Sequence, residues 1–131
     1  FNSEKLTRYF YSFSSKGFPT NGVYIFFEKG ETIKTPDGRV LDRIVRVGTH
    51  EKDDNLYKRL KQHFTGNITS SIFRKDIGKA LFTDNEEEIS KYMRENLSFV
   101  VLEVEERTTL LGGENYFYTF KGCYIRADNG F

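Results

Sequence analysis

The chain holds a single cysteine, Cys123, two histidines, two prolines and no tryptophan. One thiol cannot close an internal disulfide, so a reducing setting such as the cytoplasm is expected. One Cys and two His cannot furnish a zinc cage. No G-x-x-x-x-G-K-[ST] loop is present to cradle nucleotide phosphates, and no G-x-S-x-G elbow exists for an acyl-transfer serine. No run approaches the roughly 18–20 apolar residues of a membrane span, so no membrane association is expected. No basic-then-apolar signal segment opens the chain. Residue 1 is Phe rather than Met, the mark of a trimmed or fragmentary start. The excess of cations over anions is also slight, 20 Lys+Arg against 19 Asp+Glu. Bulk electrostatics therefore selects no partner, and only local patches can.

What the chain does have is aromatic side chains, 13 Phe and 8 Tyr in 131 residues. The length fits one domain, and a core built from Phe and Tyr is expected. Periodicity then sets the elements. "GVYIFFE" (Gly22–Glu28) is β-branched and aromatic throughout, the composition of a buried strand. Pro36-Asp37-Gly38 is a turn, with Pro presetting φ and Gly accepting a positive one. "LDRIVRVG" (Leu41–Gly48) alternates and should pair back as an antiparallel hairpin with a long tip. Strict alternation puts Val45 and Val47 on one face and Ile44 and Arg46 on the other. "DDNLYKRLKQHF" (Asp53–Phe64) predicts a helix capped by Asp53 or Asp54, with Leu56, Leu60 and Phe64 on one stripe and His63 near the fraying end. "SSIFRKDIGKALF" (Ser70–Phe82), with a serine cap, and "TDNEEEISKYMREN" (Thr83–Asn96), with an acidic first turn, predict two more. "LSFVVLEVE" (Leu97–Glu105) closes the pattern as a strand. "LTRYFYSF" near the start reads equally as a short helix or an added strand. In the tail, "NYFYTFKGCYIRA" has strand composition and suits a hairpin. The fold class is α/β, a small three-stranded mixed or antiparallel sheet flanked by helices.

Charge is unevenly placed. Arg39–Leu81 holds ten cations against five anions, whereas Asp84–Glu106 is strongly acidic. The basic stretch contains the strand-to-helix junction "RVGTHEKDDNLYKRLKQHF" and reads either as solvated helix faces or as a phosphate-facing side. Within it Arg59 and His63 stand four apart on one helix face. Arg offers a fixed fork of donors to phosphate oxygens, and His exchanges a proton near neutral pH. Tyr24 lies in a buried strand. It is an ordinary core tyrosine unless Arg46 and Arg59 converge on it and lower its pKa from about 10.

Taken in order, "GVY" at Gly22–Tyr24, "RVG" at Arg46–Gly48 and "LYKRLKQH" at Leu56–His63 resemble the GIY-YIG nuclease domain. "SIFRKDIGKAL" narrows the likeness to a bacterial subgroup. The resemblance covers roughly residues 20–106. It divides the chain into an N-terminal extension (1–21), a nuclease-like domain (22–106) and a divergent C-terminal tail (107–131). It implies a DNA endonuclease that uses Mg²⁺ or Mn²⁺. By position, Tyr24 matches the tyrosine that helps activate water. Arg59 matches the arginine that neutralises the scissile phosphate, and His63 a proton-transfer assistant. Gly22 and Gly48 match the motif glycines, which allow close backbone approach. Charge, rather than the family pattern, adds Lys58, Arg74 and Lys75 as contacts to the nucleic-acid backbone.

The sequence departs from the family pattern twice. Arg46 stands where a second tyrosine is usual; it binds phosphate but relays no proton at neutral pH. His50 is a candidate substitute, although it reads first as a loop histidine. The family's metal-binding glutamate aligns with Leu111, which leaves Glu114, Glu106 or Glu103 as ligand candidates. The rival expectation is therefore a DNA-binding module that has lost cleavage.

Overall fold

The computed structural model describes residues 6–103, together with the backbone course of residues 106–110, 115–120 and 123–128. Strand β1 (Gly22–Lys34) is central in an antiparallel sheet of order β2-β1-β3, with β2 (Val40–Gly48) and β3 (Leu97–Glu103) at its edges. Helices α1 (Leu56–Thr65), α2 (Ile72–Ala80) and α3 (Glu86–Asn96) connect β2 to β3. The predicted order of strand, strand, three helices and strand is the one observed. The sheet is antiparallel throughout. Strand β1 continues to Lys34 instead of ending at Glu28, because its outer half pairs with Val40–Asp42. Gly38 turns the tip at φ +88°. In the tail, β4 (Glu106–Leu110), β5 (Asn115–Phe120) and β6 (Cys123–Asp128) form a second antiparallel sheet in that order.

The two faces of the first sheet bury different sets. Tyr24, Phe26, Phe99 and Val101 face the helices and pack with Leu56, Leu60, Phe64, Phe73, Ile89 and Met93. Val23, Ile25, Phe27, Val100 and Leu102 form the other buried face. Aromatic rings fill the helix side: Phe26 lies 4.9 Å from Phe73 and 5.3 Å from Phe99 between ring centroids. Residues 9–18 add to this layer. Tyr9 exchanges backbone hydrogen bonds with Phe99, and Phe13 and Phe18 are buried against it. "LTRYFYSF" is thus an extended contact, not a helix.

Strict alternation fails in β2. Phe26 pairs with Arg46 but Phe27 pairs with Ile44, so Val45 is an extra residue in a β-bulge. Val45 consequently packs on the helix side and Val47 on the opposite face. The predicted sharing of one face by these two valines is corrected by that single inserted residue.

Capping also departs from expectation at one helix. Asn55, not Asp53 or Asp54, precedes α1, and its side chain makes no capping bond. Asp54 adopts φ +58° and is held by Asn21 through two bonds, Asn21 Nδ2 to its carboxylate (2.9 Å) and its own N–H to Asn21 Oδ1 (2.8 Å). Ser71 caps α2 and Asn85 caps α3, each accepting from the third N–H onward.

Arg74 ties the three helices together. It is fully buried. Its Nη1 donates to the carbonyls of His63 and Phe64 at the end of α1, both at 3.0 Å. Its Nη2 donates to the Glu86 carbonyl and carboxylate and to Ser90 Oγ, at 3.0–3.1 Å. The orphan carbonyls at the C-terminus of α1 are thereby satisfied by a charge from α2.

Candidate active site

The helix-side face of β1 presents Tyr24 to α1. Its hydroxyl lies 2.7 Å from His63 Nε2, with both side chains fully buried. His63 is therefore no frayed terminal residue. It sits on the inner stripe of α1 beside Leu60 and Phe64. Its other nitrogen, Nδ1, lies 2.6 Å from Ser71 Oγ.

Gly48 makes room for this pair. It stands directly opposite Tyr24 in the β1–β2 ladder. A Cβ there would overlap the phenol oxygen and come within 2.5 Å of Tyr24 Cζ. The glycine of "RVG" is thus a seat for the hydroxyl. Gly22 is tight for a different reason: a Cβ would meet the Leu102 carbonyl at 2.6 Å.

Arg59 is one turn before His63 and only half-buried. Its Nη1 donates to the Ser70 carbonyl (2.9 Å) and to Gln62 Oε1 (3.1 Å). Nη2 and Nε make no hydrogen bond among the described residues. Arg46 faces Phe26 across the ladder and so shares Tyr24's face. Its guanidinium lies 5.6 Å from the Phe73 ring centroid and 3.6 Å from Asp76 Oδ2. Burial first, and then the charges of Arg59, Arg46 and Arg74, together push His63 down to about 3. The imidazole is neutral at physiological pH. Arg59 from α1 and Arg46 from β2 thus both disfavour a charge on this buried ring from its own side of the sheet.

Not every candidate joins them. Lys58 and Lys75 are exposed on α1 and α2. Arg74, placed by charge near the bound DNA backbone, is instead inside the fold, where its donors hold α1 and α3. That expectation is corrected: a guanidinium with no exposed surface contacts no DNA. Nor is the basic stretch as open as its count suggests. Arg39 and Arg43 pair with Asp37 and Glu31. Lys61 sits 4.7 Å from the Phe13 ring centroid, over a group of aromatic rings. Lys52, Lys58, Arg59, Lys75 and Lys79 have no carboxylate partner among the described residues. His50 is no surface loop group; it is buried, taking the Gly22 N–H on Nε2 (3.1 Å) while Nδ1–H donates to the Lys52 carbonyl (2.6 Å).

Among the described residues no three His, Cys, Asp or Glu side chains gather as a metal cage. Glu103 offers an exposed carboxylate on the Tyr24 face, since it pairs with Gly22, two residues from Tyr24. That donor set fits only a hard cation completed by water and substrate oxygens. Glu114 and Leu111 lie outside the described residues, as does the side chain of Glu106.

Sequence reasoning missed Ser71 and the burial of Arg74. Ser71 was visible only as a helix cap, and its second partner, His63, lies a turn and a loop away. A family model described as the GIY-YIG domain matches residues 4–107. No curated protein and no solved structure matches the chain.

Proposed function

The chain belongs to the GIY-YIG domain family, and from that premise we propose that it is an endonuclease hydrolysing DNA phosphodiester bonds with one divalent cation, Mg²⁺ or Mn²⁺. The observation that carries the reading is the 2.7 Å contact of Tyr24 with a neutral His63, at a point where Arg59 and Arg46 also act.

Each residue then has a task. Arg59, anchored through Nη1, presents its remaining donors to a phosphate oxygen and stabilises charge as the phosphorus becomes pentacovalent. The attacking water gives its proton to the Tyr24 oxygen while the phenolic proton passes to His63 Nε2. The water oxygen bonds to phosphorus, the bond to the 3′ oxygen breaks, and that oxygen takes a proton from solvent water, to which His63 later returns the one it accepted. Bound phosphate also offsets the charges of Arg59 and Arg46, so the imidazole is a better base with substrate than without. Arg46, Lys58 and Lys75 hold the flanking backbone, and Gly48 keeps the phenol in place. Glu103 would hold the cation, which when bound would supply positive charge that favours departure of the 3′ oxygen.

Two observations favour a second reading, a DNA-binding module without cleavage. Tyr24 has no exposed surface, and Arg46 replaces a tyrosine. Supercoiled plasmid separates the two. The nuclease nicks it with Mg²⁺ and not with EDTA, and Arg59→Ala lowers the rate by about 10²–10³. Binding that weakens steeply with salt, without any nicking, supports the module.

A further inference from the structure

We propose that Ser71 is a positioning residue: its hydroxyl holds His63 in the Nδ1–H form and so aims the Nε2 lone pair at the Tyr24 phenol. Its consequence for catalysis rests on the nuclease reading, but the tautomer itself does not.

The argument begins with proton counting. A neutral imidazole has one N–H and one lone pair. Two hydroxyls flank the ring, Tyr24 on Nε2 and Ser71 on Nδ1, at 2.7 and 2.6 Å. One must donate and the other accept. The phenol is much the stronger acid, with an ordinary pKa of about 10, so it is the better donor to the lone pair. Ser71 then accepts. Its oxygen is suited to this, because it already takes the Arg74 N–H at 3.1 Å as the cap of α2 and has a second lone pair for Nδ1–H. The ring nitrogen that carries hydrogen is decided by the partner of the other nitrogen.

The loop that presents Ser71 is braced. Asn67 Oδ1 accepts from the N–H groups of Thr69 (3.0 Å) and Ser70 (2.9 Å), and the Ser71 N–H returns to the Asn67 carbonyl (3.1 Å). Adjacent residues of this loop hold both proposed catalytic side chains: the Ser70 carbonyl takes Arg59, and the Ser71 hydroxyl takes His63. Ser71 is itself buried at 1% exposure, so water cannot readily substitute for it.

Long-range ¹H–¹⁵N spectra of the full chain read the tautomer directly. His50 is an internal standard, because Gly22 N–H can only donate to its Nε2 and the Lys52 carbonyl can only accept from its Nδ1–H. Wild-type His63 should show the same Nδ1–H signature. In Ser71→Ala that signature should give way to a mixture or to the Nε2–H form, and Ser71→Thr should restore it. The nicking rate should fall about 10- to 100-fold in Ser71→Ala. Asn85→Ala removes a cap of the same kind from α3 and should stay within about twofold of wild type, since its oxygen accepts from Glu88 N–H and not from the ring. A wild-type His63 in the Nε2–H form, or a Ser71→Ala spectrum identical to wild type, overturns the proposal. The wild-type spectrum decides it even where a variant does not fold. A wild type that never nicks refutes the nuclease reading instead, and the spectra still decide the tautomer.

Discussion

Adding one methyl group at Gly48 should push the Tyr24 phenol off its imidazole partner. A Cβ at that position would stand 2.5 Å from Tyr24 Cζ and 2.8 Å from Cε1, nearer still to the oxygen. Carbon atoms in contact settle at about 3.5–4.0 Å, so the ring must retreat by about 1 Å. It has no slack in which to do so. Tyr24 is fully buried, with Phe26 at 5.7 Å and His63 at 5.3 Å between centroids. A retreat of that size stretches the 2.7 Å contact with His63 past hydrogen-bonding range. Overpacking of this kind costs about 1–3 kcal/mol of stability, and a misplacement of about 1 Å at a reacting group costs about 10²-fold in rate. Urea unfolding and plasmid nicking at one temperature measure the two separately. Gly48→Ala should remain folded and be nearly inactive. If it nicks within about threefold of wild type while the phenol has demonstrably moved, the placement of Tyr24 is not what catalysis depends on.

Two further outcomes follow from the same structure. Arg74→Ala takes the guanidinium donors away from Glu86 and from the last carbonyls of α1, which should cost about 1–3 kcal/mol in urea unfolding, and Arg74→Lys should not restore it because one ammonium cannot span both helices. His63 is held at about 3 in the fold against an ordinary value of 6.5. The unfolded chain therefore binds a proton that the fold refuses. Stability from this group is complete above pH 6.5 and is lost as pH falls toward 3, by up to about 1.4 kcal/mol per pH unit at its steepest. Unfolding titrations should show this slope, and His63→Gln should flatten it; an unchanged slope refutes the assignment.

The element order was legible because each segment's own periodicity matched its final state. The alternating and aromatic runs became strands, and the stripe of Leu56, Leu60 and Phe64 became the buried side of α1. Gly48 was legible as a close-approach glycine, although only the fold shows that Tyr24 is what approaches it. What the sequence concealed was non-local. Arg74 lies between Phe73 and a buried Gly78 on α2, a spacing that hints at an inward stripe, but its partners come from α1 and α3. Asp54 looked like a cap until Asn21 claimed its carboxylate. The charge count overstated the basic surface because several cations meet carboxylates or rings that sequence position does not place beside them.

The bulge at Val45 has a mechanical consequence. On one side of it, Arg46–Gly48 is locked to Tyr24–Phe26; on the other, Ile44 pairs with Phe27, and residues 28–31 of β1 then face only Arg43 before pairing resumes at Thr32. The hairpin is therefore geared in two independent lengths. Residues added to or removed from its outer end change the reach of that arm and leave the seat of the phenol unmoved, so this part of the surface is free to vary while the hydroxyl, the imidazole and the arginines keep their spacing.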